Sequence, residues 1–109
     1  MLLEILKILR HCARRNKLNN NNYNHKELAQ DLLELGKFYF LNEKYDEAIK
    51  VLQKAQKFNP FCADIYYHLG LVYEAKNNLH NAKVMYLKAT EVDSQFTLAQ
   101  EHLDKLVGK

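Results

Sequence analysis

The feature that most limits what this chain can fold into is an internal period. When the chain is slid along itself by 34 residues, Leu35-Gly36 falls on Leu69-Gly70, Tyr39 on Tyr73, Ala48 on Ala82 and Ala55 on Ala89. Large side chains recur where identity does not: Leu32 falls on Tyr66 and Leu52 on Tyr86. A fixed period of this length marks stacked supersecondary units, each of which buries its apolar face only against a neighbour. With three glycines and one proline in 109 residues, turn formers are too few for a sandwich or barrel. The repeating unit is therefore helical.

Each period reads as a helical hairpin. Over residues 26–41, Leu28, Leu32, Leu35 and Tyr39 recur at spacings of three and four and form one stripe, and Asn24 followed by Glu27 makes a capping box at its start. Asn42, Glu43 and Lys44 interrupt the pattern; Ala48, Val51, Leu52 and Ala55 resume it until Asn59-Pro60 stops a second helix. So short a connection forces the two helices antiparallel. Gly36 and Ala48 are small where the helices of a hairpin approach, and Ala55 leaves room for the next helix; Gly70, Ala82 and Ala89 repeat the arrangement. A mid-helix glycine costs roughly 1 kcal/mol relative to alanine, so two at one register call for close backbone packing.

Taken together, these positions resemble the tetratricopeptide repeat. Its pattern is carried by Leu32, Leu35, Gly36, Tyr39, Ala48, Leu52, Ala55 and Pro60 in the first copy, residues 29–62, and by Tyr66, Leu69, Gly70, Tyr73, Ala82, Tyr86 and Ala89 in the second, residues 63–96. The resemblance implies an all-α solenoid of antiparallel helical hairpins, with a concave groove lined by the first helix of each hairpin. Carried onto this chain, the groove positions are Gln30, Leu33, Glu34, Lys37, Phe40 and Leu41, then Asp64, Tyr67, His68, Leu71, Glu74 and Ala75, then Leu98, Glu101, His102 and Lys105. A purely solvated face has no need of Leu33, Phe40, Tyr67 and Leu71 in register, so an apolar peptide or helix of another protein is the expected occupant. Those side chains are expected to point away from the interhelical core. The family's two-carboxylate clamp is not matched: its Lys and Asn positions hold Leu33, Lys37 and His68, and its Lys and Arg positions hold Leu98 and His102. An EEVD-type chaperone tail is therefore not the expected ligand.

The two ends of the chain differ from the repeats. Residues 97–109 align with the first helix of a third repeat, with Ser94 as cap and Phe96, Ala99, Leu103, Leu106 and Val107 on one side. Gln100 replaces the large residue and Asp104 the glycine; a small residue at the glycine position is needed only where a partner helix follows, so this segment reads as a capping helix with a polar outer face. Residues 1–17 carry Lys7, Arg10, Arg14, Arg15 and Lys17 against Glu4 alone, with Leu2, Ile5, Leu6, Ile8, Leu9, Cys12 and Ala13 along one arc. This is a basic amphipathic helix. Residues 18–25, LNNNNYNH, form an asparagine-rich linker. The helix reads as a cap on the first repeat; a membrane surface or the same helix of a second chain, giving a homodimer, are its alternative partners. Nucleic acid is not expected, because five basic residues without interleaved aromatics make a weak footprint.

No Gly-rich phosphate loop, HExxH, GxSxG or paired metal-ligand spacing occurs, so no catalytic residue, cofactor or metal is expected. The histidines, His11, His25, His68, His80 and His102, are scattered, and only His68 and His102 fall on groove positions. Tyr39, Tyr66, Tyr73 and Tyr86 coincide with core positions and read as packing residues. Cys12 and Cys62 belong to no ligand cluster and read as reduced thiols of a cytoplasmic protein. Glu4, Lys7 and Arg10 break the opening residues before a signal-peptide core forms, and no apolar run approaches the roughly 18 residues that cross a bilayer. The expectation is a non-catalytic protein–protein interaction module, a scaffold or adaptor; the alternatives are a self-associating structural unit and a membrane-surface adaptor.

Overall fold

The computed structural model describes residues 24–108, so the expectations for residues 1–17 and for most of the linker lie outside the described residues. Five helices are present among the described residues: α1 (His25–Leu41), α2 (Tyr45–Phe58), α3 (Ala63–Ala75), α4 (Leu79–Val92) and α5 (Thr97–Val107). No strand occurs among the described residues. The helices fall into two compact units, divided between Pro60 and Phe61.

In the first unit, α1 begins at His25, one residue earlier than the sequence pattern indicates and inside the expected linker. Asn24 sets that boundary, its Oδ1 accepting from the Glu27 backbone N–H at 2.8 Å and so satisfying one of the orphan donors of the first turn. At the other end the Asn42 side chain donates to the Phe38 carbonyl at 2.8 Å. Glu43 then takes a left-handed φ of 60° and turns the chain back, and the Lys44 N–H reaches the Tyr39 carbonyl at 2.9 Å. Ala29, Leu33 and Gly36 of α1 and Ala48, Leu52 and Ala55 of α2 are buried. The stripe expected on α1 is displaced, because Leu28, Leu32, Leu35 and Tyr39 are only half-buried and the deepest positions lie beside them. Asp31 is also buried, at 7% exposure, where the next period has Ile65 at 1%. The His25 and Phe58 rings, 5.1 Å apart, close the open end of the hairpin.

The second unit repeats the backbone of the first at the turn and at both ends of its second helix. Asn77, the counterpart of Glu43, has a φ of 61°, and the Asn78 N–H reaches the Tyr73 carbonyl at 2.8 Å. Lys44 and Asn78, each preceding a second helix, have φ/ψ of −91/73° and −93/77°; Asn59 and Asp93, each ending one, have −146/85° and −141/100°. Ala63, Tyr66, Ala82, Tyr86 and Ala89 form a core with Ala99 and Leu106 of α5. Ser94 does not cap α5. It lies in the preceding turn, too far upstream to reach the first-turn N–H groups, and the helix opens after Phe96 without a side-chain cap. Asp93 serves the turn instead, its carboxylate accepting from the Gln95 N–H at 3.0 Å. Phe96 holds its place through its ring, which sits 5.3 Å from that of Tyr67.

Both mid-helix glycines stand against a large, fully buried side chain of their hairpin. A Cβ at Gly36 would lie 2.6 Å from Leu52 Cγ, and one at Gly70 would lie 2.6 Å from Tyr86 Cδ1, far inside van der Waals contact. Gly70→Ala should therefore destabilise the chain by about 1–3 kcal/mol in urea titration, with Gly108→Ala at the exposed C-cap of α5 costing less than about 0.5 kcal/mol. Equal midpoints for the two variants would contradict this packing. Glu43 poses the opposite case, since a left-handed φ costs a residue with a Cβ roughly 1 kcal/mol that glycine avoids. Glu43→Gly is expected to raise the melting temperature, and Asn77→Gly to raise it less; a fall with Glu43→Gly would refute the turn geometry.

Candidate functional site

Helix α5 has two unlike faces. Ala99 and Leu106 are buried against α4 with Leu103 beside them, while Leu98, Glu101, His102 and Lys105 follow one another at helical spacing along another side. Of these four, His102 is half-buried and the others are exposed, Leu98 at 50%. His102 is held from two helices. Its Nδ1 lies 3.3 Å from Glu74 Oε1 on α3 and 3.4 Å from the Tyr86 hydroxyl on α4. The Tyr86 hydroxyl in turn donates to Glu74 Oε1 at 2.7 Å. Tyr67 completes the cluster, its ring centroid 5.7 Å from His102, 6.0 Å from Tyr86 and 5.1 Å from His68.

The electrostatics of this cluster keep both phenols protonated. Burial raises the Tyr86 hydroxyl well above the ordinary tyrosine range, and its hydrogen bond to the Glu74 carboxylate raises it further, since a phenolate there would face a second anion. Tyr67 is raised for the same first reason, with Asp64, Glu101 and Glu74 adding like-charge opposition. Neutral phenols at these positions act as packing surfaces and hydrogen-bond donors. Beside them His68 makes a local tie, its Nδ1 2.9 Å from the Asp64 carbonyl oxygen and 3.0 Å from the Asp64 carboxylate.

The expected groove residues are distributed unevenly. Tyr67, His68 and Leu71 of α3 and Glu101, His102 and Lys105 of α5 belong to one unit, and Tyr67 touches His102 directly. Two expectations are corrected. Leu33 is not available to a ligand: it is 1% exposed, on the face that also buries Ala29 and Gly36. Tyr67 and Leu71 do not point away from the interhelical core but pack against it, because the large Tyr67 ring meets Tyr86 and Phe96. In the first unit Phe40 is half-buried with its ring 5.9 Å from Tyr45, and Lys37 pairs with Glu34 at 3.3 Å. The polar link from Tyr86 through Glu74 to His102 was not foreseen. Its only sequence signal is that the second period has tyrosine where the first has Leu52.

Among the described residues no three His, Cys, Asp or Glu side chains are gathered to hold a metal ion, Cys62 is a free thiol, and no helix is long and apolar enough to cross a membrane. A family model described as TPR repeat matches residues 36–77, and a second, described as tetratricopeptide repeat, matches residues 63–96. No curated protein matches the chain. The second match coincides with the second period read from Tyr66, Leu69-Gly70, Tyr73, Ala82, Tyr86 and Ala89, and repeats of this kind are generally non-catalytic and mediate protein–protein interaction. The chain belongs to the tetratricopeptide repeat family.

Proposed function

We propose that the chain is a non-catalytic adaptor that binds a helix or extended peptide of another protein along the α3–α5 face of its second unit. The observation that carries this reading is Leu98, half-exposed one turn before His102 on a helix that buries Ala99 and Leu106 and packs Leu103 against the core. Around it the face offers the edge of the Tyr67 ring and a rim of Glu101, His102 and Lys105, the mixture of an apolar anchor and polar surround that interfaces favour. The cluster behind it is satisfied internally through Glu74 and Tyr86, so a partner finds a preorganised surface. A cytoplasmic setting accords with the free thiol of Cys62.

The test replaces Leu98, whose exposure lets it change without loss of the core. Leu98→Asp should keep the melting temperature within a few degrees and reduce partner capture roughly tenfold, as loss of a central anchor does. Val84→Asp, at a 36% exposed position on α4, is the control and should capture as the parent chain does. Undiminished capture by Leu98→Asp would show that this face is not the binding surface.

A further inference from the structure

The first unit carries a surface that the adaptor reading does not use. Between Tyr39 of α1 and one side of α2 lies an open cavity of about 760 Å³, bordered by Glu47, Lys50, Val51, Lys54 and Lys57. The three lysines recur at helical spacing, forming a cationic edge about 10 Å long at 1.5 Å per residue. All three are exposed, and none forms an ion pair with another described residue. Asp46 and Glu47 lie one turn before Lys50 and the helix dipole favours Lys57 in the last turn, so the excess positive charge is confined to the stretch from Lys50 to Lys57, where an acidic ligand gains most. Tyr39 and Val51, both half-buried, supply an apolar floor.

We propose that this lysine-edged face of α2 docks an acidic segment of a partner protein that also inserts a large apolar side chain against Tyr39 and Val51. The partner's carboxylates lie along Lys50, Lys54 and Lys57 and stop short of Glu47, whose charge fixes the direction in which the segment runs. A nucleic acid fits less well, because its phosphates continue past Glu47 and the face has no exposed aromatic on which bases stack. A membrane fits less well too. Membrane-surface helices project their apolar side chains beyond the cations, whereas here the apolar groups are the more buried ones.

The test selects a randomised peptide library displayed on phage against the full chain and counter-selects it on the triple variant Lys50→Gln, Lys54→Gln, Lys57→Gln. Acidic peptides with at least one large apolar residue should survive. Made synthetically, they should bind the parent chain with a steep salt dependence and lose about tenfold or more in affinity for the triple variant. Val51→Ser should weaken them without altering the salt dependence, and Leu98→Asp should leave them unaffected, which separates this site from the α3–α5 face. Circular dichroism checks that the triple variant keeps its helices, and Lys54→Glu provides a single change should it not. Three results overturn the proposal: no acidic peptide survives, survivors bind parent and variants alike, or a single-stranded oligonucleotide or a phosphatidylserine vesicle displaces them and binds more tightly.

Discussion

No Cβ fits at Gly36 or Gly70, and much of the structure follows from what occupies the space instead. Leu52 and Tyr86 are fully buried against these two glycines. A glycine in mid-helix is unfavourable by roughly 1 kcal/mol, but full burial of a large apolar side chain is worth about 1.5–3 kcal/mol, so the exchange favours the hairpin. Ala48 with Ala55, and Ala82 with Ala89, are buried in the same way and present only a methyl group where backbones come near. Once that contact is set, the turn has little freedom. Glu43 and Asn77 take a left-handed φ so that Lys44 and Asn78 can return a hydrogen bond to the carbonyls of Tyr39 and Tyr73.

The same contact is where the two hairpins diverge. Leu52 ends in methyl groups, whereas Tyr86 carries a hydroxyl through the core to Glu74 and, beside it, to His102. One substitution at the glycine-facing position thus links the hairpin of the second unit to α5 through polar atoms, on the helix that also exposes Leu98. The side chain packed on Gly70 is therefore also the one that reaches α5 through its hydroxyl.

Much of the fold could be read before the structure, because period and helical spacing report on the same contacts. Helix α1 starts one residue from its expected position and α2 ends just before Asn59-Pro60, whereas α5 opens after Phe96 and not behind a Ser94 cap. Side-chain direction was less legible. A groove assignment by repeat position treats every period alike, and so it exposed Leu33, which is buried, and turned Tyr67 outward, although a ring that large finds Tyr86, Phe96 and His102 nearby. Ser94 looked like a cap because serine caps helices, but in this turn Asp93 does the hydrogen bonding and the ring of Phe96 anchors the helix start. The spacing of Lys50, Lys54 and Lys57 was visible throughout. Lysines on a helix ordinarily mark a solvated face, and only the half-buried Tyr39 and Val51 beside them distinguish this one.

The central claim is that each hairpin closes by a large side chain lying on a glycine, and this is measurable in solution by proton NMR. The Hα protons of Gly70 should show strong nuclear Overhauser effects to the ring protons of Tyr86 and be shifted upfield by its ring current, with matching effects from Gly36 to the Leu52 methyl groups. Gly70 Hα signals at random-coil positions, with no cross-peak to Tyr86 in a folded helical chain, would contradict it.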